Sequence, residues 1–276
     1  MSNHPEDNIQ HCLRQLGHIY APKFGHANQY LEKTVLHAAR FSLETISKSD
    51  AAYHDVAHAI LATLAGQAIL EGHLLSGGAV TKIDWGHFTI ALLFHDIGYA
   101  RGICKGDHGN LVATGKGDEV IELPVNSTDA ALSAYHVDRS QMFIRDRFRA
   151  EFDTHDQLHA EVISDYIEMT RFPFSPGEHG NSDSLEELVR AADLIGQLGD
   201  PNRLQKCSAL FKEFEEIGLN AKLGYRRPED IRNDNTSFYW KIVRPYIQRA
   251  LVNLKLTREG RRWVANLQAN VGGPII

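Results

Sequence analysis

Cysteine is scarce in this chain. Cys12, Cys104 and Cys207 are the only three in 276 residues, and they stand far apart and odd in number. That excludes a disulfide framework and suits a reducing compartment, so all three are read as free thiols. Long apolar runs are absent too. No stretch reaches the about eighteen residues that a membrane helix needs, and the first ten residues, MSNHPEDNIQ, have no basic segment leading into an apolar one. Neither membrane spanning nor secretion is expected, and the chain reads as cytoplasmic. Basic stripes are missing as well: Lys and Arg are scattered and the net charge is -6, so no surface is expected to follow a nucleic-acid backbone. Finally, no segment has the clean period of two of a half-solvated sheet, and there is no internal repeat or low-complexity tract.

What is present is an ordinary globular composition, 43% hydrophobic and 23% charged, which argues against disorder and allows a sizeable core. Over residues 31–47 the apolar residues Leu31, Val35, Leu36, Ala39, Phe41, Leu43 and Ile46 fit a helix better than alternation. A second helix is expected over 55–72. A third, capped by Asp84, runs through Trp85, Phe88 and Leu92 until Gly98 ends it in a left-handed conformation. Residues 101–126 break the pattern with Gly102, Gly106, Gly109, Gly115, Gly117 and Pro124, and read as an unstructured loop able to act as a lid. Helical spacing resumes over 128–150, 155–171 and 184–198, the last with Ser184 and Glu187 placed as a capping box, and again near 202–217 and 236–256. The expectation is an all-α single domain, with residues 1–28 a leader, 29–200 the core, and 201–276 further helices packed on it.

Histidine is the unusual component, at fifteen residues, and imidazole is both a common metal ligand and the usual proton carrier near neutral pH. In Tyr53-His54-Asp55-Val56-Ala57-His58-Ala59 two histidines four apart are expected on one helical face. Such a pair is more often surface or core than ligand. Phe94-His95-Asp96-Ile97-Gly98 then sets an imidazole beside a carboxylate at a helix end, where loosened geometry lets adjacent side chains converge. Asp193, within Ala191-Ala192-Asp193-Leu194-Ile195, is a carboxylate in an apolar run, and burying it demands a cation or strong hydrogen bonds. A salt bridge to a nearby Arg is the plainer account of Asp193 alone.

Taken in order, this set resembles the HD superfamily of metal-dependent phosphohydrolases over roughly residues 30 to 200, and YHDVAHA resembles the YHNxxHA segment of its cyclic nucleotide phosphodiesterases. The resemblance implies a helical HD-domain bundle in which His58, His95, Asp96 and Asp193 bind a divalent metal and His54 protonates the leaving group. Two departures remove the implied cyclic nucleotide specificity: Asp55 stands where those enzymes have Asn, and Tyr99 where they have a further His. His136 and His159, between the dyad and Asp193, resemble the extra ligands of the binuclear branch, in which Asp96 would bridge both ions; His155, one turn before His159, is its rival. His87 is read as structural and His108 as an exposed loop residue. Arg139, one turn after His136, is the candidate for binding substrate phosphate, because the guanidinium fork matches phosphate oxygens.

The resemblance therefore implies hydrolysis of a small phosphate ester, such as a nucleotide, by hydroxide generated on one or two ions of Mn, Fe, Zn, Ni, Co or Mg. A diiron oxygenase of the same superfamily shares the ligand order; a metal-stabilised ligand-binding or regulatory domain is the non-enzymatic alternative, which has no need to keep the complete set.

Overall fold

The computed structural model describes residues 4–25, 29–152, 158–174, 182 and 184–275. It is predominantly all-α. Helices α1 (Pro5–Phe24), α2 (Gln29–Ile46), α3 (Val56–Leu75) and α4 (Lys82–Phe94) lead to a 3₁₀ turn at Ile97–Tyr99. Strands β1 (Leu111–Ala113) and β2 (Val120–Glu122) follow. Next come α5 (His136–Phe143), a π-helical turn at Ile144–Phe148, α6 (Arg149–Glu151), α7 (Ala160–Glu168) and α8 (Leu185–Leu198). The chain closes with α9 (Cys207–Glu216), α10 (Leu219–Leu223), α11 (Pro228–Phe238), α12 (Arg244–Lys255) and α13 (Arg258–Val271).

Helix α3 is the axis of the fold. It is apolar around nearly its whole circumference, as a helix surrounded by others must be, and it packs against α1, α2, α4, α8, α12 and α13. Its approach to α8 is unusually close because Gly196 lies on Ala62: a Cβ at residue 196 would stand 2.5 Å from the Ala62 Cα. Helix α1, the segment read as a leader, adds Ile9, Cys12, Leu16 and Tyr20 to the same core, with Tyr20 against Trp85. Helices α9 to α11 instead enclose a small separate core of Cys207, Leu210 and Ile231 around Tyr53.

Several local expectations are corrected. Residues 101–126 are not structureless: β1 and β2 pair antiparallel, Val112 opposite Ile121, and pack Val112, Ile121 and Leu123 against Tyr99 and Leu132. Three-residue strands bounded by glycines are too short to register as alternation. Helix α4 is capped by Thr81, with Asp84 answering as the third residue of the capping box. At α8 Ser184 is the cap, its side chain accepting from the Glu187 amide, while Glu187 reaches back to Ser182. Gly98 is not left-handed. It lies within the 3₁₀ turn, where a Cβ would stand 1.9 Å from the His136 carbonyl oxygen, so the close approach of α5 is what requires glycine.

Candidate metal centre

The contact of Ala62 with Gly196 determines what lies one helical turn earlier on each element, His58 on α3 and Asp193 on α8. His58 is the third residue of α3, and Asp55 caps that helix by accepting from the His58 amide at 2.9 Å. An acid at residue 55 therefore serves the helix terminus, whose unpaired N–H groups favour negative charge. His54 precedes the cap and is not on the helix; its ring reaches His58, 5.7 Å between centroids, from an irregular segment rather than by helical spacing.

His95 still has helical dihedrals at the end of α4, whereas Asp96 leaves them at φ -104, ψ 3. That change of direction turns the two adjacent side chains to one point. Ser140 of α5 holds the turn by donating to the His95 carbonyl at 2.8 Å and accepting from the Gly98 amide at 2.9 Å.

The Nε2 atoms of His58 and His95 lie 3.3 Å apart. The Asp96 Oδ2 is 3.3 Å from the first and 3.1 Å from the second, and the Asp193 Oδ1 is 3.2 and 3.5 Å from them. Both oxygens are buried without a hydrogen-bond partner among the described residues. Neighbouring ligands of one ion held at about 2.1 Å stand roughly 3.0 to 3.4 Å apart in octahedral or tetrahedral arrangements, so these separations suit a cation. The buried group His58, His95 and Asp96 could hold a metal ion. Nδ1 of His95 is 2.8 Å from the Leu92 carbonyl, which can only accept, so the ring donates there and directs Nε2 inward.

The charges agree with a site for a cation. Burial alone would make protonation of His95 harder, yet Asp96 and Asp193 raise its pKa well above the usual histidine value. Burial would also raise both carboxyls, but the surrounding imidazoles hold them well below the carboxylate range. A metal ion would replace the proton that these groups share. The exposed side of the cluster is defined by His54 (21%), Asp193 (16%) and His136 (16%), whereas His58, His95 and Asp96 are sealed at 5% or less.

His136 opens α5 with Nδ1 donating to the Ser133 carbonyl at 2.7 Å and Nε2 3.7 Å from the Asp96 Oδ1. Burial lowers its pKa to about 4, so it is a neutral imidazole next to the cluster. Tyr99 lies between His54 and His136, stacked on both at 4.5 Å.

Glu213 of α9 was not foreseen. Buried at 4%, it accepts from the Tyr53 and His54 amides at 2.6 and 3.2 Å and from His54 Nδ1 at 2.6 Å. Burial opposes a charge on His54, but Glu213 outweighs it and pushes the pKa up to about 9. Nothing in the local sequence, FKEFEEIG, distinguishes Glu213 from Glu215 and Glu216; only the docking of α9 selects it.

A protein-family comparison covers residues 3–273, almost the entire chain. The chain belongs to the Npun_R2479-like family. That family is of unknown function, and no curated protein matches the chain.

Two expected site residues lie elsewhere in this Npun_R2479-like fold. Arg139 is fully buried, and its guanidinium is consumed by the carbonyls of Gly98, Ala100 and Ala113 and by both oxygens of Asp107. It fastens the β-hairpin to the dyad turn and has no donor left for substrate. His159 precedes the first residue of α7, with no capping bond from its side chain, beside His87, whose Nε2 accepts from the His159 amide at 3.0 Å. His87 is two turns before His95 on α4, about 12 Å along the helix, so His159 does not join the cluster. Its rival His155 lies outside the described residues. His108 is exposed and pairs by its backbone with Leu111.

Proposed function

We propose that this chain is a metal-dependent hydrolase of small phosphate esters, with one divalent ion held by His58, His95, Asp96 and Asp193. The convergence of two imidazole nitrogens and two otherwise unpartnered carboxylate oxygens within 3.1 to 3.5 Å carries the reading. It is the ligand set of the HD phosphohydrolases that the sequence resembles. Imidazole with carboxylate suits Mn, Fe, Zn, Ni or Co. Bound there, such an ion supplies Lewis acidity and makes water a nucleophile at neutral pH.

The side chains supply the remainder. Asp96 and Asp193 together balance a divalent charge, so a phosphate ester meets a centre that does not repel it. It enters on the side of His54 and His136, since the opposite side is sealed. With Nδ1 of His54 committed to Glu213, the proton available to a departing oxygen is the one on Nε2. Among the described residues a second cation would find Asp96 Oδ1 and His136 Nε2 but not His159, so these residues hold any second ion weakly.

The test is elemental analysis of the purified chain followed by a panel of phosphate esters under anaerobic conditions with Mn or Mg supplied. About one equivalent of metal, and turnover that Asp96→Ala abolishes together with the metal, are the expected results. Turnover that requires both iron and dioxygen would replace hydrolysis with oxygenase chemistry. Metal without turnover of any ester would leave a binding domain.

A further inference from the structure

Arg203 lies in the segment between α8 and α9, 2% exposed. Its partners are neutral: one terminal nitrogen donates to the Tyr53 hydroxyl at 3.2 Å, the other to the Asn235 Oδ1 at 3.2 Å, and Cζ lies 5.6 Å from the Tyr53 ring centre. Asp200, the nearest acid along the chain, is bound to Lys206 at 2.8 Å. Among the described residues Arg203 has no ion pair, and its Nε is buried without a hydrogen-bond partner. Nδ2 of the adjoining Asn235, also 2% exposed, is unpartnered as well. A buried guanidinium without an anion is strongly unfavourable, so this pair of free donors calls for one. Arg139, buried to a similar degree, has its carboxylate in Asp107.

We propose that Arg203 and Asn235 form an oxyanion subsite, in which Nε–H of the arginine and Nδ2–H of the asparagine hold the oxygens of a phosphate or carboxylate. The subsite is one aromatic ring from the metal centre: the Tyr53 ring that Arg203 covers lies 5.7 Å from the His58 ring and 5.2 Å from the His54 ring. Resting on the hydrolase reading, the subsite gives the substrate a second anionic group beyond its scissile phosphate. Oxyanion binding itself does not depend on that reading.

Thermal unfolding of the full chain with inorganic phosphate, and separately with formate, tests the subsite, using the protein as purified and after chelation. Asn235→Asp places a carboxylate against Arg203, so it should raise the melting temperature without added anion and abolish the anion-induced rise. Arg203→Met removes the charge and should weaken anion binding about tenfold to a hundredfold, as expected for a lost charge-assisted hydrogen bond, without the loss of stability that removing a purely structural arginine brings. Asp96→Ala should retain the anion effect. Anion effects unchanged in Asn235→Asp and Arg203→Met would overturn the subsite. An effect lost in Asp96→Ala but kept in both of those variants would place the anion at the metal centre, overturning the subsite while leaving the hydrolase intact.

Discussion

At the scale of single residues, His54 and His136 flank Tyr99 and have opposite protonation. His54 is charged through Glu213, and His136 is neutral through burial. That difference separates their roles. His54→Ala should leave metal content intact and lower turnover of alkyl or ribose phosphates by roughly a hundredfold to ten-thousandfold, the range for losing a general acid. A nitrophenyl ester, whose leaving group departs without a proton, should suffer much less. Equal loss on both substrates would make His54 a packing residue. His136→Ala should remove any weakly held second ion while sparing the first, and His159→Ala should change metal content not at all, because its neighbour is His87. Equilibrium dialysis with Mn or Zn distinguishes these outcomes.

At the scale of elements, the β-hairpin is fastened rather than free. Asp107 receives the Arg139 guanidinium and the amides of Gly102, Cys104 and Ala113, a concentration of charge-assisted bonds on one carboxylate. Burial would raise the Asp107 pKa, but Arg139 and the Ala113 and Cys104 amides bring it below the ordinary carboxylate value. A carboxyl depressed on folding stabilises the protein above its unfolded pKa of about 3.9, and that contribution is lost as pH falls through the lower folded value. Wild-type stability should therefore decline below about pH 4, and Asp107→Ala should lack this component of the acid limb. At neutral pH the same variant should cost about 3–5 kcal/mol, the penalty for leaving a buried charge unpaired. Urea unfolding across the pH range measures both. A variant within 1 kcal/mol of wild type, on the scale of an exposed ion pair, would mean that the hairpin is held by its apolar contacts instead.

At the scale of the whole molecule, the site depends on parts far apart in sequence, from Tyr53 to Glu213, and the outer helices hold those parts together. Helix α1 buries Ile9, Cys12, Leu16 and Tyr20. Each large apolar side chain so buried contributes about 1.5–3 kcal/mol, and a domain's net stability is only about 5–15 kcal/mol. Removing residues 1–25 should therefore lower the melting temperature markedly or prevent folding, as circular dichroism would show. A truncated chain that melts like the full one would show this segment to be a detachable leader instead.

Local pattern was sufficient for the helices of the core, because period and caps are properties of short segments. For His58, His95, Asp96 and Asp193 spacing alone left core or salt-bridge roles open, and the family resemblance is what grouped them as ligands. An all-α chain with imidazoles and carboxylates suited to a cation follows from the residues in their order. That Arg139 serves Asp107, that His159 faces His87, and that Glu213 and Arg203 stand behind Tyr53 and His54 follows from the packing of the helices. The physical reason is that a side chain's charge partner is fixed by which helix docks beside it, and the approach of α9 to the segment before α3 spans about 160 residues, far beyond the reach of any periodicity.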